Sequence, residues 1–203
     1  MKLRRSLLIG LMAIAIGSAS ASAALVPIGE FTGEMFEGFE AIGAPGGYPG
    51  PMDICGGRAA MDDTLAHTVM IAYSLQSGIS GESIYPYNGN LMGGLPTGWG
   101  YVEFDTPVVD FGAFIGTADT LTGTTFTFKD ETGTVIDTVP VSLQLADWTW
   151  CGWHSDTPIA RIEILGSVTP GFGVTFDDLR ANVPEPASLS LLLIGVGLVL
   201  RRR

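Results

Sequence analysis

The last patterned stretch of the body closes on two neighbouring carboxylates, Asp177 and Asp178, behind an alternation of Phe172, Val174 and Phe176. On a regular strand, period two aims the two aspartates at opposite faces, so at most one faces the core. A carboxylate turned inward must be paired or bind a cation. Solvation, or a salt bridge to Arg180 or Arg161, would satisfy the pair equally well. A second pair, Asp62 and Asp63, has the residue types for general acid and base work. Adjacent strand carboxylates diverge, however, and glycosidic chemistry needs two of them about 5–9.5 Å apart across a substrate. The charge-rich turn around Asp62 reads more simply as solvated. The aromatic centre is "DWTWCGWH", residues 147–154. As a strand it places Trp148 and Trp150 on one face, with Cys151 and Trp153 on the other. One face is then core, and tryptophans on the other could stack on the C–H faces of sugar rings. Packing of all three tryptophans (Trp148, Trp150, Trp153) in the interior is the plainer alternative. His67 and His154 lack a second ligand at zinc spacing. No G-x-S-x-G, P-loop or dinucleotide fingerprint occurs, so the chain reads as a non-enzyme.

The elements that must position these residues are strands. Between Ala24 and Val183 no helical period stands out, and alternation with turn punctuation recurs, the pattern of an all-β sandwich or barrel. Residues 124–128 alternate cleanly, Asp130-Glu131-Thr132-Gly133 is a turn, and residues 134–139 leave it as the partner strand. Residues 101–104 and 108–115 read as strands flanking a Thr106-Pro107 break, and residues 159–165 as another strand. Two stretches, 41–57 and 78–100, are rich in Gly and Pro and read as loops; the second carries Tyr85, Tyr87 and Trp99. Residues 65–74 fit either a strand or a short helix.

The two ends carry addresses. Lys2, Arg4 and Arg5 precede an apolar run from Leu7 to Ile16, and Ala21-Ser22-Ala23 presents small residues for cleavage before Ala24. Residues 1–23 are therefore expected to be a signal peptide, handled by signal peptidase, with an uncleaved membrane helix as the alternative. At the other end, Ala187 to Leu200 is an apolar run that would span about 21 Å as a helix, short of a bilayer core of about 30 Å. Arg201, Arg202 and Arg203 follow it and should stay cytoplasmic, leaving the body outside. A marginal membrane stop of this kind suits transient insertion.

Between the ends, residues 24–182 are long enough for one domain with its own core. Up to Val183 the body has four basic residues, Arg58, Lys129, Arg161 and Arg180, against 20 acidic ones, a balance of −16. Nucleic acid is excluded as a partner, because phosphate binding needs a basic surface. Acidity keeps exported proteins soluble and also attracts divalent cations. Cys55 and Cys151, an even pair in an exported body, are expected to form a disulfide.

Val183-Pro184-Glu185-Pro186, the apolar run from Ala187 and the closing arginines resemble the PEP-CTERM sorting signal of Gram-negative bacteria. The resemblance covers residues 183–203. It implies an exosortase partner, removal of the tail near the motif, and delivery to the cell surface or to an exopolysaccharide-containing matrix. The body, through "FEGF" (36–39), residues 102–116, the 129–138 hairpin and residues 157–180, resembles a jelly-roll β-sandwich of the kind found in carbohydrate-binding modules. The expected fold is thus all-β, a single jelly-roll-like antiparallel β-sandwich flanked by the signal peptide and a short C-terminal hydrophobic helix. The same resemblance implies a structural calcium near the end of the last strand, held by Asp177 or Asp178 with Glu37 or Glu40 and backbone carbonyls. The expected role is structural or adhesive, with polysaccharide binding. A secreted carbohydrate-active hydrolase using Asp62 or Asp63, and a matrix scaffold that contacts only proteins, are the alternatives.

Overall fold

The computed structural model describes residues 25–77, 80–119, 124–166 and 173–185. The expected signal peptide, the expected membrane segment 187–200, Pro186 and the terminal arginines lie outside the described residues. Among the described residues no helix is long and apolar enough to cross a membrane. Among the described residues the body is all-β, with one short 3-10 turn at Glu40–Ile42.

Its strands in chain order are β1 (Val26–Pro27), β2 (Met35–Glu37), β3 (Gly46–Pro49), β4 (Met52–Ile54), β5 (Ala59–Asp63), β6 (Thr68–Ala72) and β7 (Leu75–Gln76). They continue as β8 (Ser83–Ile84), β9 (Met92–Leu95), β10 (Trp99–Gly116), β11 (Thr124–Lys129), β12 (Val135–Val141), β13 (Trp148–Leu165) and β14 (Val174–Asn182). Residues 65–74 thus resolve into a strand preceded by a turn. The Gly/Pro-rich stretch 41–57 supplies only edge strands: β3 ends the sheet and β4 pairs with β5 alone. That placement is what Pro49 demands, since proline gives no ladder hydrogen bond.

Two antiparallel strands of 18 residues each, β10 and β13, run through the whole molecule. Their first halves and second halves belong to different walls. Residues 99–104 of β10 lie between β5 and the end of β13, and β11 and β12 extend this first wall beyond β13. Residues 110–116 lie between β14 and the start of β13, and β9, β6 and β3 extend the second wall, with β1 on β13 and β2 on β14. The corner between the walls is made of two offset bulges. Residues 104–107 lie opposite Ala160 alone, and residues 155–158 opposite Val109 alone. Each bulge holds the same tripeptide, Asp105-Thr106-Pro107 and Asp156-Thr157-Pro158. Proline is tolerated there because the ladder is already interrupted. The expected break at Thr106-Pro107 is therefore a corner inside one strand.

Across the corner the buried parity of β10 changes from Val102 and Phe104 to Phe111, Ala113 and Ile115. Both sets then point into a single core cluster. Trp153 is its centre. It rises from the second wall and meets Phe126 and Phe128 of the first wall at 5.6 and 5.1 Å, and stacks on Phe111 at 6.2 Å between ring centres. The walls therefore face each other as a sandwich, and Trp153 is a core residue.

The cysteines differ from expectation. Cys55 and Cys151 are both buried free thiols. Cys55 sits in the turn after β4, where its N–H donates to Glu37 Oε2, whereas Cys151 lies in β13 opposite Ala113. Burial pushes their thiols up to about 12 and about 11, so the reactive thiolate is scarce.

Candidate functional site

The outer face of the second wall carries a layered aromatic cluster. Trp150 of β13 lies over a strip without side chains, where Gly112 and Gly152 are opposite one another. A Cβ on Gly112 would come within 2.5 Å of the Trp150 ring, and one on Gly152 within 2.8 Å. Glycine at both positions lets the indole lie close to the sheet. Phe31 meets Trp150 edge-on at 6.0 Å, Phe114 meets it at 5.2 Å, and the indole Nε1 donates to Ile28 O at 3.1 Å. Tyr87 then stacks on Phe114, with ring centres 3.5 Å apart and planes 17° from parallel. Such pairs contribute about 0.5–1.5 kcal/mol beyond simple burial.

Tyr87 is 48% exposed and Tyr85 65% exposed. Tyr87 thus has one face on a prepared aromatic base and the other toward solvent. Both tyrosines ride on the segment between β8 and β9, which four attachments hold. Trp148 Nε1 donates to Tyr85 O at 2.8 Å. Asn88 N donates to Asp177 Oδ2 at 3.0 Å. Asn90 N and Leu91 N donate to Glu40 Oε1 at 2.5 and 2.7 Å. Ile84 is buried in a small apolar cluster with Met92, Ala72 and Ala118.

Two of the carboxylates expected to hold calcium are therefore clamps on the tyrosine segment. The N–H donors on Glu40 hold its carboxyl below the usual range. Asp177 is fully buried, and burial pushes it up to about 6 despite the N–H groups of Asn88 and Asp178. Asp178 accepts from Arg180 Nη2 at 3.2 Å. Glu37 accepts from Phe39 N through Oε1 and from Cys55 N through Oε2, both at 2.7 Å.

The last strand also departs from the regular alternation. It runs on through the aspartates to Asn182, with a register shift between Gly112 and Phe114 of β10. Asp178 sits at φ 47°, a left-handed conformation that aspartate tolerates. This bulge changes the core parity from Val174 and Phe176 to Leu179 and Ala181. Asp177 and Asp178 consequently share the outer face, where period two alone had separated them. Glu37 is paired with the inward-facing Leu179 and turns the other way. Glu40 and Asp178 line one cavity, Glu37 is turned away from them, and among the described residues no three His, Cys, Asp or Glu side chains gather as a metal-binding group.

The other expected sites are apart from this face. Asp63 is fully buried and accepts from Leu65 N, Ala66 N, Thr97 N and Thr97 Oγ1, which makes it the anchor of the turn after β5. Asp62, also buried, lies 3.5 Å from His67 Nδ1 through Oδ2. His154 Nδ1 lies 2.6 Å from Asp110 Oδ1, whose other oxygen accepts from Asn182 at 2.9 Å. Of the three tryptophans expected to stack on glycan, Trp153 is buried, while Trp148 and Trp150 support the exposed tyrosines from beneath. Sequence reasoning passed over Tyr85 and Tyr87 as site residues. Their signal was two aromatic rings in a loop of Pro, Asn and Gly, where no core requires them.

At the end of β14, Val183 packs against the core cluster, followed by the half-buried Pro184 and the exposed Glu185. Residues 182–203 match the PEP-CTERM protein-sorting motif. No curated protein matches the chain. Among solved structures it is similar to a family 6 carbohydrate-binding module, at 15% identity and a TM-score of 0.32, over 56% of this chain and 82% of that one. It is also similar to a glycoside hydrolase family 43 arabinoxylan arabinofuranohydrolase from Bacillus subtilis, at 13% identity and a TM-score of 0.35, over 57% of this chain and 24% of that one. A third is the xylanase 10B CBM22-1–GH10 pair from Clostridium thermocellum, at 15% identity and a TM-score of 0.27, over 60% of this chain and 25% of that one. The chain thus spans about a quarter of the two enzymes. It carries a PEP-CTERM protein-sorting motif at residues 182–203, behind an antiparallel β-sandwich body.

Proposed function

We propose that the exported body is a polysaccharide-binding, non-catalytic component of the cell surface or extracellular matrix, and that its glycan lies across Tyr85 and Tyr87. One observation carries this reading: Tyr87 presents an open ring face from a stack on Phe114 and Trp150, on a segment clamped by Glu40, Asp177 and Trp148. Exposed aromatic area rimmed by polar groups marks a binding surface. Tyrosine offers it with little side-chain entropy to lose, and a segment already held in place lowers the ordering cost of binding. The hydrolase alternative loses its specific support, because Asp63 has both oxygens committed to the fold and Asp62 is buried beside it. The reading does not require calcium, since Glu40 and Asp177 already hold the tyrosine segment through its own N–H groups.

The test is retention of the exported protein on the producing cells' own exopolysaccharide, in calcium and then in EDTA. Equal retention in both buffers is the expected result. Retention lost in EDTA would restore a calcium-dependent module. No retention in either buffer, with self-association by sedimentation, would favour a scaffold that contacts only proteins.

A further inference from the structure

The charges around the tyrosine face select among polysaccharides, and this step rests on the glycan-binding reading above. Among the described residues two basic groups stand on that face. His154 is committed, its Nδ1 lying 2.6 Å from Asp110 Oδ1, and so is Arg180. Its Nη2 lies 3.2 Å from Asp178 Oδ2, its Nη1 lies 3.7 Å from Glu30 Oε2 and donates to Phe31 O at 2.9 Å, and its guanidinium carbon sits 5.4 Å from the Trp150 ring centre. The remaining charged groups of the face are carboxylates. Glu40 and Asp178 line a cavity of about 120 Å³ with Phe36, Asn88 and Gly89, directly beside the tyrosine segment. Asp177 lies under the same segment, and Asp147 accepts from the N–H of Trp148 at 2.8 Å.

The body's other cations cannot help. Lys129 and Arg161 are on the first wall, paired with Glu163 and Glu103 at 2.7 and 3.2 Å, and Arg58 is in the turn between β4 and β5, donating to Glu34 O. A polymer of uronates or sulfates would meet like charge at the rim and find no free guanidinium or ammonium to pair with. At low ionic strength that repulsion acts over about 10 Å or more. A neutral sugar has what the rim lacks: hydroxyl donors for carboxylate acceptors, and C–H faces for the exposed tyrosines.

We infer that the tyrosine face takes an uncharged polysaccharide, with sugar hydroxyls donating to the Glu40 and Asp178 carboxylates while a ring face lies on Tyr87. The experiment is electrophoresis of the exported protein at low ionic strength with EDTA. Separate native gels would contain a β-glucan, a glucomannan, an arabinoxylan, alginate or polygalacturonate. The expected result is a loss of mobility in at least one neutral gel, unchanged on adding salt, and unaltered mobility in both anionic gels. Slowing in the anionic gels alone would overturn the inference and leave the glycan-binding reading standing. Unaltered mobility in every gel would count against the reading itself and take the inference with it.

Discussion

Replacing Asp177 by asparagine should change how stability depends on pH. Burial pushes the Asp177 carboxyl up from 3.8 to about 6, with the N–H groups of Asn88 and Asp178 pulling the other way and the Asp178 charge adding to the rise. Between those values the folded protein holds a proton that the unfolded chain has released. Stability therefore falls as pH rises through the window and is regained on acidification. A shift of about two pKa units corresponds to about 3 kcal/mol in full, of which about 2 kcal/mol accrues between about pH 7 and about pH 4.5. Asp177→Asn fills the same volume and cannot ionise, so this contribution vanishes from the variant. Urea denaturation of both proteins at a series of pH values measures it, since the midpoint and slope give the free energy at each pH. The difference between wild type and variant should move by about 2 kcal/mol in favour of the wild type from about pH 7 to about pH 4.5. A difference that stays constant over this range would refute the burial argument for Asp177.

Other outcomes follow from the same geometry. Trp153→Ala removes the ring shared by both walls and should cost about 3–5 kcal/mol in the same urea assay, a loss that an exposed position would not produce. His154, raised chiefly by its hydrogen bond to Asp110, gives stability that is full below about pH 6.5 and fades as pH rises through its folded value; His154→Gln should remove that slope. Cys55 and Cys151 should resist alkylation in the native protein, and both should label in denaturant without reductant; a chain with no labelled thiol would contradict the free-thiol arrangement.

The parts of the fold legible in the sequence are those with uninterrupted alternation. The hairpin of β11 and β12 is one, since Thr124–Lys129 alternates, and Asp130 gathers the N–H groups of Thr132 and Thr134 in the turn. The corner was half legible: Thr106-Pro107 looked like the end of a strand, and only its repeat at Thr157-Pro158 tells that one continuous pair bends there. Period two misplaced Asp177 and Asp178 because it assumes a regular strand, and a bulge at a left-handed aspartate carries no hydrophobic signature. The clamps were hidden for a different reason. Glu40 and Asp177 serve backbone N–H groups of residues 88–91, far away in sequence, and every residue except proline has such a donor. The cysteine pair shows the same limit, for parity and compartment say nothing of where two thiols sit in the core.

Support for the tyrosines by a prepared aromatic base is the centre of this account, and one comparison addresses it most directly. Tyr85→Ala/Tyr87→Ala removes the two exposed rings and leaves Trp148, Trp150, Phe114 and the clamps in place. Titration of the exported protein and of this variant with the retaining polysaccharide should show affinity reduced by at least about 30-fold, the loss of one binding hot spot. The stability lost in urea should be modest, about 0.5–1.5 kcal/mol from the Tyr87–Phe114 stack. Undiminished affinity in a folded variant would contradict the claim and place the ligand elsewhere on the sandwich.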